Sequence, residues 1–252
     1  MFLEFVNNKK AKNFNEDLAK ATNGYCELMQ IGTKDQEQIF KVVINPNAKK
    51  SICFVSGLHG NEEGSSEGVL AFLKDRPFIH KNKRVIIIPL ANPTGLNKGT
   101  RKNADNVDIN RHFLDDILND ECKYIWDALK EDKINLLCSL HEDPDLKTFY
   151  CYYTHHLQLA KDLRTLAEKY FKIYSKSNRK PLDGEEQTLY DDKIYNGLIQ
   201  LPHTVRGTIE DKFLLERDTP YITIESPGKV SLDKRTEFNK KAMKLVINSA
   251  FE

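Results

Sequence analysis

Three stretches of this chain are apolar almost without interruption: SICFVS over 51–56, RVIIIPL over 84–90 and INLLCSL over 134–140. A strand with one wet face alternates apolar and polar residues, so strands that do not alternate need cover on both faces. Sheets sandwiched between helices supply that cover, and they are built largely from parallel strands joined by helical crossovers. The intervening segments fit this plan. Residues 65–74 (SSEGVLAFLK), 118–130 and 157–171 carry helical spacing, and 232–248 reads as a further helix closed by Asn248 and Ser249. Strands are also expected at 36–44 (QEQIFKVVI) and 220–225 (PYITIE), after a polar N-terminal segment. The expected class is therefore α/β, with a central mixed, mostly parallel β-sheet flanked by helices. With 252 residues, 40% of them hydrophobic, the chain can build one substantial core. The Pro-, Gly- and charge-rich stretch 175–193 reads as an excursion from that single unit, because too little chain follows it to form a second core.

Charge narrows the partners. Lys and Arg number 38 against 37 Asp and Glu, a formal net charge of +1, so composition gives no reason to expect nucleic acid or an anionic membrane. The longest apolar runs fall far short of the roughly 20 residues that span a bilayer, and one of them ends at Pro89. The opening MFLEFVNNKK places its lysines after the only short apolar patch, the reverse of a signal peptide, so no export is indicated and a cytoplasmic location is expected. Cys26, Cys53, Cys122, Cys138 and Cys151 form no CxxC pair and are odd in number, which fits reduced, mostly buried thiols.

Chemistry gathers where the apolar runs end. GLHGNEEG (57–64) follows the first run directly, and His59 and Glu62 can ligate one ion there; HxxE alone is weak, and the competing reading is a polar loop whose Glu63 or Glu67 begins a helix. LLCSLHED (136–143) repeats the placement, with His141 as a third candidate ligand at a strand's carboxyl end. His, Glu and His with an open fourth position is an ordinary catalytic zinc set. His155 and His156 are adjacent and point in different directions, which makes them poorer joint ligands. Between the ligand segments lie NPTGL (92–96), TRKN (100–103) and DINRHF (108–113). Arg101 or Arg111 can hold a carboxylate while the other polarises a carbonyl, and Asn110 can add a directional hydrogen bond; turn arginines also commonly pair with carboxylates for structure alone. In YITIESPG (221–228), Glu225 ends an apolar strand as a candidate general base, with a salt-bridged or capping glutamate as its bland counterpart.

Taken in order, HGNE from His59, NPTG from Asn92, TRKN from Thr100, DINR from Asp108, SLH ending at His141 and TIE ending at Glu225 resemble the zinc carboxypeptidase family, the M14 metallopeptidases, over about residues 51–228. Within that family the chain resembles the compact bacterial murein-peptide amidase or carboxypeptidase-like group. The resemblance implies a carboxypeptidase-like catalytic domain over 1–252 and one Zn2+ per chain held by His59, Glu62 and His141. It implies that Arg101 stabilises the oxyanion, that Asn110 and Arg111 anchor a substrate carboxylate, and that Glu225 is the general base and acid. The expected substrate is a peptide or small amide with a free carboxylate; the oligomeric state is open.

One departure concerns specificity. Many family members carry a mobile tyrosine about twenty residues before the catalytic glutamate, where this chain reads LPHTVRGTIED (201–211). His203 falls near that place and is the candidate substrate-covering residue, with Tyr195 as another. Glu210 falls in the region resembling the side-chain specificity pocket, where a carboxylate favours a lysine, an arginine or the distal amine of diaminopimelate. Two alternatives compete: a succinylglutamate desuccinylase or aspartoacylase-like hydrolase of N-acyl amino acids, and an inactive peptide-binding module. The first usually continues into a substantial further domain, whereas 27 residues follow Glu225 here. The second is disfavoured by the full set of candidate ligands together with Glu225.

Overall fold

A computed structural model describes residues 9–175, 194–200 and 206–251, with the backbone alone for Ile194 and Tyr195. The elements run α1 (Lys10–Thr22), β1 (Glu27–Lys34), β2 (Glu37–Ile44), β3 (Lys50–Ser56), α2 (Glu63–Lys74), β4 (Lys83–Ile88), α3 (Pro93–Lys98), a 3-10 turn (Ile109–Arg111), α4 (Asp120–Leu129), β5 (Leu136–Asp143), β6 (Thr148–Tyr153), α5 (Leu157–Ala167), β7 (Lys172–Ile173), β8 (Ile194–Tyr195), β9 (Leu198–Gln200), α6 (Ile209–Arg217), β10 (Tyr221–Pro227) and α7 (Leu232–Ser249).

The sheet has the order β1-β2-β4-β3-β5-β10-β6-β9-β8, with β7 added beside β6. Its centre, β4-β3-β5-β10, is parallel throughout, and antiparallel pairs flank it at β2/β4 and β10/β6. The fold is thus the expected α/β arrangement with a mixed central sheet between helices. The three uninterrupted apolar runs are β3, β4 and β5, neighbours at its centre.

Their two faces feed two separate cores, which explains why they do not alternate. Ile52, Phe54, Val85, Ile87, Leu136, Cys138, Ile222 and Ile224 pack with residues of α1, α2, α5 and α7. Cys53, Val55, Ile86, Ile88, Leu137 and Tyr221 pack with Ile125 and Leu129 of α4 and Ile209 and Phe213 of α6. Side chains two apart share a face. Ser139 and His141 therefore follow Leu137, and Thr223 and Glu225 follow Tyr221, onto the α4/α6 side.

The sequence expectations differ from the structure at several places. β5 continues past Leu140 through Asp143, because β10 goes on pairing with it after β3 and the apolar run have stopped. The polar N-terminal segment contains α1, whose buried face is only Ala11, Phe14, Leu18, Ala21 and Thr22. β1 lies at the sheet edge with a half-exposed pattern, and β6 and α6 were also not expected. Of the expected excursion, residues 176–193 lie outside the described residues. Cys53, Cys122, Cys138 and Cys151 are buried and Cys26 is half-buried. No helix among the described residues is long and apolar enough to cross a membrane.

Candidate metal centre and cleft

The loop after β3 brings His59 and Glu62 together. Gly60 lets that loop lie against α3: a Cβ there would sit 1.9 Å from the carbonyl carbon of Gly95 and 2.2 Å from the Leu96 nitrogen, so only glycine fits. Asn92 fixes the same region from the other side. Its side chain accepts from Gly95 N at 2.8 Å as the cap of α3, and donates at 3.3 Å to the carbonyls of both Leu58 and Arg101. The NPTG segment is in this way a brace between the His59 and Arg101 loops.

His59, Glu62 and His141 are all buried, and one potential ligand atom from each lies within 4.8 Å of the others. The Nδ1 atoms of both rings face the same carboxylate: His59 Nδ1 is 2.5 Å from Glu62 Oε1 and His141 Nδ1 is 2.8 Å from Glu62 Oε2. The far nitrogens are held as well. His59 Nε2 lies 3.1 Å from Asp108 Oδ1, and His141 Nε2 lies 3.5 Å from Asn110 Nδ2. A carboxylate behind a metal-ligating histidine is the usual means of fixing its ring and tautomer. Asp108 is a site residue that sequence reasoning missed, because nothing local in DINR places its carboxylate behind His59.

Electrostatics agree with a cation site. Burial alone would push the Glu62 carboxyl up, yet the two imidazoles hold it well below the ordinary carboxylate range. Burial likewise disfavours charge on His59 and His141, but Glu62, with Asp108 behind His59 and Glu225 near His141, raises both. Asp108 is held low in spite of its burial by His59 and Arg101. Two imidazoles and a buried carboxylate that draw positive charge between them fit a borderline divalent ion such as zinc in donor type and number.

The set forms part of a cleft that is also lined by Arg101, Asn110, Arg111, Glu210 and Glu225, among others. Glu225 is the strand partner of His141 across β10 and β5, one strand spacing of about 4.8 Å away. Arg101 donates through Nε to Asp108 Oδ2 at 2.8 Å, and its Nη1 lies 3.9 Å from Glu62 Oε1. Asn110 and Arg111 sit in the 3-10 turn, capped by Asp108, whose Oδ1 accepts from Asn110 N. Asn110 Oδ1 accepts from Ile209 N at 3.0 Å, so this residue also positions the start of α6, and Arg111 donates to the Asn110 carbonyl at 2.8 Å.

Glu210 lies in the first turn of α6, 4% exposed. One oxygen accepts from Thr223 Oγ1 at 3.1 Å, and the hydroxyls of Ser139 and Thr208 stand close to the carboxylate. Burial pushes its carboxyl up, but the charge of His141 and nearby hydroxyls outweigh this and leave it lowered. The cleft wall further holds Tyr152, Arg206, Asp211 and Tyr221, none singled out from sequence. His203 lies outside the described residues, and Tyr195 falls in β8, three strands from β10. His155 and His156 do not line the cleft.

A family model described as "Protein of unknown function (DUF2817)" matches residues 9–128. No curated protein matches the chain. Among solved structures, a "putative metallopeptidase" from Shewanella amazonensis is similar with a TM-score of 0.79 and 21% identity, over 96% of this chain and 93% of that one. The chain has the fold of metallopeptidase structures. A metallo-carboxypeptidase from Pseudomonas aeruginosa, in complex with (2-guanidinoethylmercapto)succinic acid, gives a TM-score of 0.73 at 14% identity, over 95% and 68% of the two chains. The murein-tripeptide amidase of Escherichia coli O157 gives 0.62 at 17%, over 87% and 91%.

Proposed function

We propose that the protein is a zinc-dependent hydrolase of the carboxypeptidase type, cleaving an amide bond near a free carboxylate of a peptide. The observation that carries this reading is the convergence of His59, Glu62 and His141 on one cleft wall, with Glu225 on the adjacent strand. Zinc held by the three ligands supplies Lewis-acid polarisation of a carbonyl and acidifies water. Glu225 takes the proton of the attacking water on its carboxylate and passes it to the departing nitrogen. Arg101, fixed by Asp108, faces the oxyanion that develops as the carbonyl is attacked. Asn110 and Arg111 hold the substrate carboxylate and so set which bond reaches Glu225.

Glu210 extends the proposal to the terminal side chain. An ionised, buried carboxylate on a cleft wall is costly unless a cation completes it, which favours a basic terminal residue, including a cell-wall diamino acid. The Pseudomonas aeruginosa fold neighbour was solved with a ligand whose name combines a guanidino group with succinic acid, a pairing of cation and carboxylates that supports this reading.

The test is a mass-spectrometric screen of zinc-loaded protein against peptides with basic or apolar C-termini, muropeptides and N-acyl amino acids. Wild type should release a C-terminal residue or diamino-acid product, and Glu225→Gln should lose about 10²–10⁴-fold in turnover while keeping its zinc. Normal turnover by folded Glu225→Gln would sink the mechanism. Hydrolysis of N-acyl amino acids alone would replace the peptidase with the deacylase reading.

A further inference from the structure

Behind the ligands, on the opposite face of β5, lies a second buried group that the proposed chemistry does not use. Glu142 follows His141 directly and is 2% exposed. Its backbone N–H donates to Glu62 Oε2 at 3.1 Å, so the main chain of β5 orients the ligand carboxylate. Its own carboxylate accepts from Gly64 N at 3.0 Å, from Ser226 Oγ at 3.3 Å and from Arg235 Nη1 of α7. Arg235 is tied down in turn by its Nε, which donates to the Val230 carbonyl at 2.9 Å.

The packing is shaped around this contact. A Cβ on Gly64 would lie 2.4 Å from Glu142 Oε1 and 2.9 Å from the Arg235 Cβ. One turn along α2, a Cβ on Gly68 would lie 2.4 Å from the Asn239 Cβ. Asn239, one turn beyond Arg235 on α7, donates to the Gly64 carbonyl and to Ser226 Oγ, each at 3.3 Å. Two glycines one turn apart on α2 thus receive two polar residues one turn apart on α7. Apart from the Arg235 bond to Val230, the hydrogen bonds of the group end on segments that carry a candidate ligand or the general base: the start of α2 after Glu62, β5 at His141, or β10 just after Glu225.

We infer that Glu142 and Arg235 are positioning residues for the metal site, clamping α7 onto the two segments that present Glu62 and His141. This rests on the reading of His59, Glu62 and His141 as a zinc site. A buried ion pair is seldom worth more to stability than apolar residues of the same shape. Its place between the two ligand segments gives it a different use, because partners behind a metal site fix the angle at which ligands meet the ion.

The decisive protein is the double variant Glu142→Gln/Arg235→Met. It removes both charges together, leaves no lone buried charge, and keeps an acceptor for Gly64 N. Its thermal midpoint should stay near wild type, while its zinc affinity, measured by competition with a chromogenic chelator, should fall about 10–100-fold. The visible absorption of its cobalt-substituted form should shift from that of wild type. Gly64→Ala, which pushes the Glu142 carboxylate aside, should weaken zinc in the same direction. A double variant that binds zinc with wild-type affinity and shows the wild-type cobalt spectrum overturns the clamp alone. A wild-type protein that takes up no zinc overturns both the clamp and the reading beneath it.

Discussion

Asp108 links three parts of the candidate site. Its Oδ1 meets His59 Nε2 and accepts from Asn110 N, while its Oδ2 accepts from Arg101 Nε. Asp108→Asn should therefore loosen the His59 ring and release Arg101 together, lowering zinc affinity about 10–100-fold in a chelator competition; unchanged affinity would show that the Asp108 carboxylate does not orient His59. Glu210 makes a separable prediction. Glu210→Gln keeps the bond from Thr223 but removes the charge, so kcat/KM should drop about 10–100-fold for C-terminal lysine or arginine and change little for leucine. Equal losses on both classes would make Glu210 a structural group. The candidate ligands His59 and His141 were legible because they follow or end apolar strands, where a histidine is conspicuous. Asp108, Glu142 and Arg235 were not, since the partners that tie them to the site, His59 for Asp108 and each other for Glu142 and Arg235, stand tens of positions away and no local pattern marks them.

The strands at the centre of the sheet were readable because burial on both faces removes alternation, and only their ends slipped. The elements that escaped have weaker burial or a different signature. β1 is half-exposed at an edge, and α1 buries only a narrow stripe. The aromatic run TFYCYY of β6 and the Thr208/Asp211 capping box of α6 were signals of their own, the first of β-propensity and the second of a helix start. Helix α4 offers a test of how an element tolerates a buried charge. Glu121 in its first turn is fully buried, accepts from Asn103 Nδ2 at 3.0 Å through Oε1, and leaves Oε2 without a partner. Burial raises its carboxyl pKa; the helix backbone, Asn103 and Lys34 oppose this without cancelling it. A raised folded-state value means the group favours folding fully only below its unfolded value, near 4.5, and that contribution is lost as pH rises through the folded value. Glu121→Gln keeps the Asn103 bond and has no proton to lose. The difference in melting temperature between variant and wild type should therefore grow in the variant's favour from about pH 4.5 to pH 7. A difference that is flat across that range would show that Glu121 folds with its ordinary proton affinity.

Across the whole chain, opposite charges nearly cancel, yet Arg101, Arg111 and Arg206 share one cleft with Glu210, Asp211 and Glu225. Near-neutrality overall coexists with a concentrated, two-signed site, which suits a substrate that carries both a carboxylate and a cation. Placing those groups requires nearly the whole sheet order, because His59 follows β3, His141 lies on β5, Glu225 on β10, and Glu210 on α6 just ahead of it. A zinc ion bound by His59, Glu62 and His141 would join the loop after β3 to the end of β5, and so would act on global stability as well as on chemistry. Linkage fixes the size of that effect: at free zinc about 100 times its dissociation constant, the native state gains about 2.7 kcal/mol. For a chain of this length each kcal/mol moves the midpoint by roughly 2–4 °C. Stripping the metal with a chelator should then lower the melting temperature by about 5–10 °C, and added zinc should restore it. His141→Ala should melt at one temperature with or without zinc, because two remaining ligands do not hold the ion at that concentration. A wild-type midpoint indifferent to chelator and to zinc would mean that the three side chains meet for structural reasons alone, and that the hydrolase reading has lost its foundation.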